Sequence, residues 1–345
     1  PDRVSSHLST AAVKRLATVS PIFLPRRTSG QTMASRQRFA GGPGGRYTSR
    51  LTTEARETIE ASEGRPAMPL KDCLVHIDVN QQSRARMEAA AALAVRHSAH
   101  LTGVCVMTPP QIPGYLRAEI GSDVFKRQAE HARAQAKLAE IAFNDCAGRA
   151  GITSEWRCVE GLSLAALCLH GRYADIVVAG QRDPSGTEGA DDPAIPDQLV
   201  LAVGRPVLVI PSVGEYPVIG ERVMVAWDAS RLSARAVNDA LPLLTMARHV
   251  VVVAVNPRGG ASGHGEIPCA DICLHLARHG VKAEAQHLYA EDIDAGDMLL
   301  SRAADAAIDL IVMGAYGHAR WREVVLGGVT QHMLRHMTVP VLMSH

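Results

Sequence analysis

Short apolar runs alternate with helical patterns along residues 68–345. In the second half the runs at 222–228, 250–256, 281–288, 310–314 and 339–343 are each short enough for a strand, and those at 250–256 and 310–314 are almost wholly apolar. Runs of that kind are expected where a strand is covered on both faces. Between them, residues 233–247, 266–279, 294–307 and 328–336 carry helical patterns. Strand and helix in regular alternation predict parallel strands joined by helical crossovers, so each half reads as a doubly wound α/β domain of five strands.

The pattern occurs twice. Val75 aligns with Val225, Asp78 with Asp228 and Ser83 with Ser233, an offset of 150 positions. Further on, Asp175-Ile-Val-Val-Ala-Gly matches Asp309-Leu-Ile-Val-Met-Gly, and Arg205-Pro-Val-Leu-Val-Ile matches Val339-Pro-Val-Leu-Met-Ser, at an offset of 134. The smaller second offset gives the first half a longer middle, around a helical stretch at 122–148. A repeat of this size predicts two duplicated domains, at 68–213 and 218–345, rather than a solenoid of shorter units.

Residues 1–67 differ from the rest. Up to Thr53 they hold nine Lys or Arg residues against one acid, Asp2, and they contain the break Gly41-Gly42-Pro43-Gly44-Gly45. Such a composition cannot bury enough apolar surface to order itself. A disordered or artefactual extension is expected, with a natural beginning at Met68. An Arg- and Ser-rich transit peptide, or a basic segment for an acidic surface, is the other reading.

The chemistry is concentrated after the strand at 310–314. Gly314 ends it, Gly317 follows, and Gly327-Gly328-Val329-Thr330 open the next helical pattern. Glycines admit positive φ and close backbone approach. A helix N-terminus adds unpaired N–H groups and a favourable dipole for phosphate oxygens. Tight turns also require glycine, so the spacing has a purely structural reading as well. His318, Arg320 and Arg322 add positive charge between the glycines. In the first half Asp183 stands opposite Gly317 and Pro193 opposite Gly327, while Ala194, Ile195 and Pro196 oppose Gly328, Val329 and Thr330. Prolines lack the N–H groups of a phosphate cradle, and the acids Asp183, Glu188, Asp191 and Asp192 would repel a triphosphate. The first half is therefore expected to be degenerate as a nucleotide site.

The spacing Gly-x2-Gly-x9-Gly from Gly314 to Gly327 resembles the nucleotide loop of the universal stress protein (UspA) family. The resemblance spans residues 68–345, with the full loop motif in the second half. It implies tandem Rossmann-like domains of the adenine-nucleotide alpha-hydrolase-like kind. In the family's ATP-binding members the third glycine is followed by Ser or Thr. Here Gly328 stands in that place and the nearest hydroxyl is Thr330, a loss of about 1 kcal/mol, or about 3 with a charged partner. The resemblance puts Asp228 at the adenosine end and the backbone of Val255 against adenine. It puts Ala226, Trp227, Met313 and Tyr316 around the nucleoside, and Gly314 and Gly317 near ribose and phosphate. Gly327, Gly328, Val329 and Thr330 would hold the phosphates. Asp228 also reads as a helix N-terminal residue, since Asp favours such positions. The implied ligand is ATP or AMP, with Mg²⁺ accompanying ATP. The implied role is a cytoplasmic stress-adaptation module that binds or signals, with at most weak incidental ATP hydrolysis. A nucleotide-free scaffold for dimerisation and partner binding is the alternative. Two fused halves would form a pseudo-two-fold dimer within one chain, with 339–343 pairing against 207–210. A homodimer and an unknown protein partner stay open.

Composition narrows the classes. Net charge is +1 and aromatics make up 4%, which argues against nucleic acid and base-stacking surfaces. No apolar run reaches the roughly 18 residues of a membrane span. The seven cysteines are scattered singly, as expected for a reducing compartment. Cys269 and Cys273, with His264, His275 and His279 nearby, match no recognised zinc spacing, so no metal is expected. No Gly-x-Ser-x-Gly or Gly-x4-Gly-Lys-Ser/Thr motif occurs, and no residue stands out as a general base.

Overall fold

The computed structural model describes residues 68–78, 82–108, 122–182, 195–257, 267–289, 292–317 and 328–345. The N-terminal extension, the acidic run at 183–192, Pro193, Ala194, His264, His318, Arg320, Arg322 and Gly327 lie outside them. In the first half the elements run β1 (Asp72–Ile77), α1 (Gln82–His97), β2 (His100–Met107), α2 (Ser122–Ala150), β3 (Ser154–Glu160), α3 (Ser163–Gly171), β4 (Ile176–Gly180), α4 (Ile195–Ala202) and β5 (Val207–Ile210). The second half repeats them as β6 (Arg222–Ala226), α5 (Arg231–Leu244), β7 (His249–Val255), α6 (Ala270–Arg278), β8 (Ala283–Leu288), α7 (Ala295–Asp305), β9 (Leu310–Gly314), α8 (Gly328–His336) and β10 (Val341–Ser344).

All ten strands join one sheet in the order β3-β2-β1-β4-β5-β10-β9-β6-β7-β8. Each half is a parallel five-stranded sheet, and the strand order of the second mirrors that of the first. The halves meet where β5 and β10 run antiparallel, with Val209 opposite Val341, Leu208 opposite Leu342 and Val207 opposite Met343. Within each half the chain reverses between its first and fourth strands. Those strands are hydrogen-bonded neighbours, β1 with β4 and β6 with β9. A ligand crevice in an open α/β sheet forms outside the carboxyl ends of such a pair.

Two cores cover the sheet. Ala90 and Leu93 of α1, Phe143 of α2, Val237 of α5 and Leu276 of α6 share one face. Leu167 of α3, Leu199 of α4, Leu299 of α7 and Leu334 of α8 share the other. The central strands are enclosed from both sides, which is why they read as unbroken apolar runs. The edge strands do not: β3 (Ser-Glu-Trp-Arg-Cys-Val-Glu) and β8 (Ala-Glu-Ala-Gln-His-Leu) are half-exposed and carry polar residues, which discourages pairing with another chain.

The repeated aspartate has a structural reason. Asp175 Oδ2 accepts from Lys71 N at 2.7 Å and Asp72 N at 3.1 Å. Asp309 accepts from Gly220 N, Glu221 N and Arg222 N at 2.7, 3.0 and 2.9 Å. Each carboxylate thus pairs the backbone N–H groups at the entry of its half's first strand, which a buried start would otherwise leave unmatched.

Side chains of the first half reach into the second. The Gln181 amide donates to the carbonyls of Leu334 and Arg335 near the end of α8, both at 3.0 Å, and its oxygen accepts from Ser212 N at 2.9 Å. Arg96, at the end of α1, donates to the carbonyls of Ile219 and Met246, each at 2.7 Å. The carbonyls of Leu334, Arg335 and Met246 lie at or just beyond helix C-termini, where intrahelical donors run out and positive charge is favoured. Among the described residues no helix is long and apolar enough to cross a membrane.

Candidate functional site

The crevice of the second half opens at the carboxyl ends of β6 and β9, where Ala226 lies opposite Met313. Beyond β6 the chain turns through Trp227, Asp228 and Ala229. Ala229 takes a left-handed conformation, φ 59°. Asp228 Oδ1 accepts from Ser230 N at 3.0 Å, so the aspartate shapes the turn. The cap of α5 is Ser230, whose hydroxyl accepts from Ser233 N at 3.2 Å. Asp228 is exposed at the mouth of the crevice.

The strand residues divide between the two faces. Ala226, Val255 and Val329 pack against the core beneath α7 and α8, together with buried Met313 and Tyr316. Trp227 packs on the opposite core, beneath α5 and α6, and its N–H donates to the carbonyl of Val253 at 2.9 Å. The alternation of side chains along a strand separates Trp227 from its neighbours.

The glycines have distinct reasons. A Cβ on Gly314 would meet the backbone of Leu232 and Ser233 at 2.6 Å. This glycine lets the first turn of α5 press onto the end of β9, a packing demand independent of any ligand. A Cβ on Gly317 would meet only Leu232 Cδ1 at 3.7 Å, and one on Gly328 would meet nothing within 4 Å. Among the described residues, neither packing nor left-handed geometry calls for glycine at these two positions. Tyr316 is left-handed, at φ 62°.

Tyr316 is the hinge of this region. A bulky residue in that conformation is strained, and two hydrogen bonds offset the strain. Its N–H donates to Thr330 Oγ1 at 3.1 Å, and its phenol donates to Asp197 Oδ1 of α4 at 2.8 Å. Its side chain therefore points into the junction of the two halves. Burial, and then the Asp197 carboxylate, push the phenol pKa far above the usual tyrosine range. Thr330 is buried, and one lone pair of its oxygen is engaged by the Tyr316 amide. The first backbone N–H groups of α8, from Gly328 onward, are those a helix leaves without internal acceptors.

Where α7 packs on α8, His332 of α8 sits between Asp294, the cap of α7, and Asp297 in its first turn, with Nε2 2.9 Å from Asp297 and Nδ1 3.9 Å from Asp294. One ligand atom from each residue lies within 4.8 Å of the others. The two ring nitrogens face different carboxylates. Asp294 also caps α7, accepting from Gly296 N at 2.7 Å. A Cβ on Gly296 would meet the His332 ring at 2.6 Å, so the glycine is what lets the two helices close.

The equivalent crevice of the first half is filled from within. Arg86 of α1 is buried, and its Nη2 lies 2.8 Å from Asp78 and 3.2 Å from Ser83 Oγ. Its guanidinium occupies the space a Cβ on Gly180 would need. In the repeat, Arg86 corresponds to Ala236, a fully buried methyl in the core. The second half thus has Asp228 at the place of Asp78 and the Ala236 methyl at the place of Arg86. Arg86 was invisible as a filler in the sequence, because α1 carries several arginines and only the fold selects the one that turns inward.

The fold is that of a tandem, doubly wound α/β protein, and in its first half Arg86 fills the space beside Gly180. Comparison with known proteins agrees. Residues 269–345 match the sequence model of the Universal stress protein family. The universal stress protein Slr1230 of Synechocystis is 27% identical over 176 residues, which are 49% of this chain and 57% of that protein. The match therefore spans somewhat over half of that relative's length. A crystal structure of a universal stress protein from Archaeoglobus fulgidus superposes with a TM-score of 0.59 at 14% identity, covering 79% of this chain and 97% of that one. That likeness is one of fold. Over residues 269–345 the sequence is thus similar to the universal stress protein family, and the fold of the chain is like that of the Archaeoglobus protein.

Proposed function

We propose that the second half, residues 218–345, binds an adenine nucleotide, ATP or AMP, and that the chain works as a cytoplasmic stress-adaptation module rather than a catalyst. The observation that carries this reading is the contrast between the two crevices. The first is filled by Arg86 against Asp78, while in the second the same position is a methyl group, and among the described residues nothing packs closely against the glycines at 317 and 328. In this reading the α8 N–H groups and the glycine backbone take the phosphates, which suit the positive end of a helix dipole. Asp228, at the mouth, accepts from ribose hydroxyls, and Val255 with Ala226 forms the apolar wall for the base. Mg²⁺ accompanies ATP by sharing phosphate oxygens. Residues 68–213 form the partner domain of a pseudo-dimer.

A thermal-shift titration of the full chain with ATP, AMP and Mg²⁺ tests the proposal, alongside Gly317→Asp. Ligand at a hundredfold over its Kd stabilises by about 2.7 kcal/mol if it binds only the folded state. A shift in the parent that vanishes in Gly317→Asp is expected. A folded sample that shows no shift at millimolar nucleotide overturns the reading. The nucleotide-free scaffold is then favoured, an account to which the engagement of Thr330 Oγ1 by Tyr316 N already lends weight.

A further inference from the structure

The first half holds a pair of cysteines that the nucleotide reading does not use. β3 is an edge strand, and in its register with β2 Cys158 lies directly opposite Cys105. Register partners on neighbouring parallel strands point their side chains to the same face and lie about 4.7–4.9 Å apart. That spacing is inside the window of about 4.4–6.8 Å between Cα atoms that a disulfide requires. The two thiols share a hydrogen bond. Cys105 is buried and Cys158 is exposed, and both are reduced. One sulfur is thus open to a reagent while its neighbour is screened behind it.

We propose that Cys105 and Cys158 form a reversible oxidation site whose co-reactant is a small hydroperoxide. The Cys158 thiolate attacks the peroxide oxygen. An S–O bond forms, the O–O bond breaks, and with hydrogen peroxide the leaving hydroxide departs as water. The Cys105 sulfur then displaces the hydroxyl from Cys158 as a second water, closing the S–S bond. Two thiols lose two electrons and one peroxide becomes two waters. A strand pair held flat by its ladder closes such a bond with strain, which makes it easy to reduce again. Burial, together with Glu140 and Glu160, raises the Cys158 pKa, against a lowering from the Cys105 hydrogen bond. The thiolate fraction therefore grows with alkalinity, and the reaction quickens from pH 7 to pH 9.

The experiment exposes the full chain to hydrogen peroxide at both pH values, blocks remaining thiols, and maps the peptides by mass spectrometry. The expected result is a linked pair of peptides carrying Cys105 and Cys158, short of two hydrogens, formed faster at the higher pH and cleaved by dithiothreitol. In Cys105→Ser, Cys158 accumulates instead as a dimedone-reactive sulfenic acid. Should that variant fail to fold, the peptide map of the parent decides alone. Oxidation of Cys158 in the parent without linkage to Cys105, linkage to another cysteine, or full alkylation of Cys158 after treatment each overturns the proposal.

Discussion

Asp197 and Tyr316 lie 119 positions apart, yet their 2.8 Å hydrogen bond ties α4 of the first half to the glycine loop of the second. Removing the carboxylate in Asp197→Ala leaves a buried phenol without its acceptor, at a cost of about 1–3 kcal/mol. Tyr316→Phe deletes the donor, and half-exposed Asp197 regains water, so about 1 kcal/mol is expected. The double variant should cost little more than Asp197→Ala alone. The coupling energy from the four denaturation curves is then about 1 kcal/mol, and Asp197→Ala lowers Tm by about 2–4 °C per kcal/mol lost. The bond also predicts an alkaline signature. A tyrosine whose folded pKa is raised holds its proton longer in the native state. Its contribution is whole below the unfolded value, about pH 10, and is lost as pH rises beyond it. Tyr316→Phe should remove that slope. Single-variant losses that add within about 0.3–0.5 kcal/mol would refute the argument, since independent sites behave so.

Three further outcomes are expected. Gly314→Ala should destabilise by about 1–3 kcal/mol, because its methyl would meet α5 backbone at 2.6 Å. Gly328→Ala should leave stability unchanged or raise it by up to about 1 kcal/mol, which urea denaturation of the two variants distinguishes. Arg86→Ala should cost about 3–5 kcal/mol by leaving Asp78 uncompensated in a part-buried site, and adding Asp78→Ala should recover part of that loss. Finally, burial and then neighbouring Arg96 push the pKa of His97 down to about 4, and neither ring nitrogen has a hydrogen-bond partner among the described residues. The unfolded chain binds this proton first. Stability should therefore be whole above about pH 6.5 and fall toward pH 4, by on the order of 3 kcal/mol. In His97→Leu, denaturation midpoints over that range should lose this part of their pH dependence.

The elements were legible because each records its own surroundings. A strand covered on both faces must be apolar throughout, so 310–314 announced itself without any partner being known. The register of the repeat followed from Asp175 and Asp309, and the family resemblance implied that 207–210 pairs with the last strand, which the sheet shows to be antiparallel. The boundaries drifted by a few residues, as at α6, where the expected 266–279 is Ala270–Arg278. Its N-cap Cys269 sits at φ 66°, a turn that no local pattern advertises.

The site was legible only in part. Spacing alone singled out Gly314, Gly317 and Gly327 as one group, and of the two that the structure describes, only Gly314 is held to glycine by close backbone packing. Asp228 looked equally fit to cap a helix, and the cap proved to be Ser230. Arg86 reads as one more helix arginine until β4 brings Gly180 against it. Sequence determines what each segment must bury, because periodicity and composition act within a few residues. Which long side chain crosses a domain junction, and which one fills the space beside Gly180, depends on groups some ninety to a hundred and fifty positions away along the chain. Those meetings are decided only when the sheet closes.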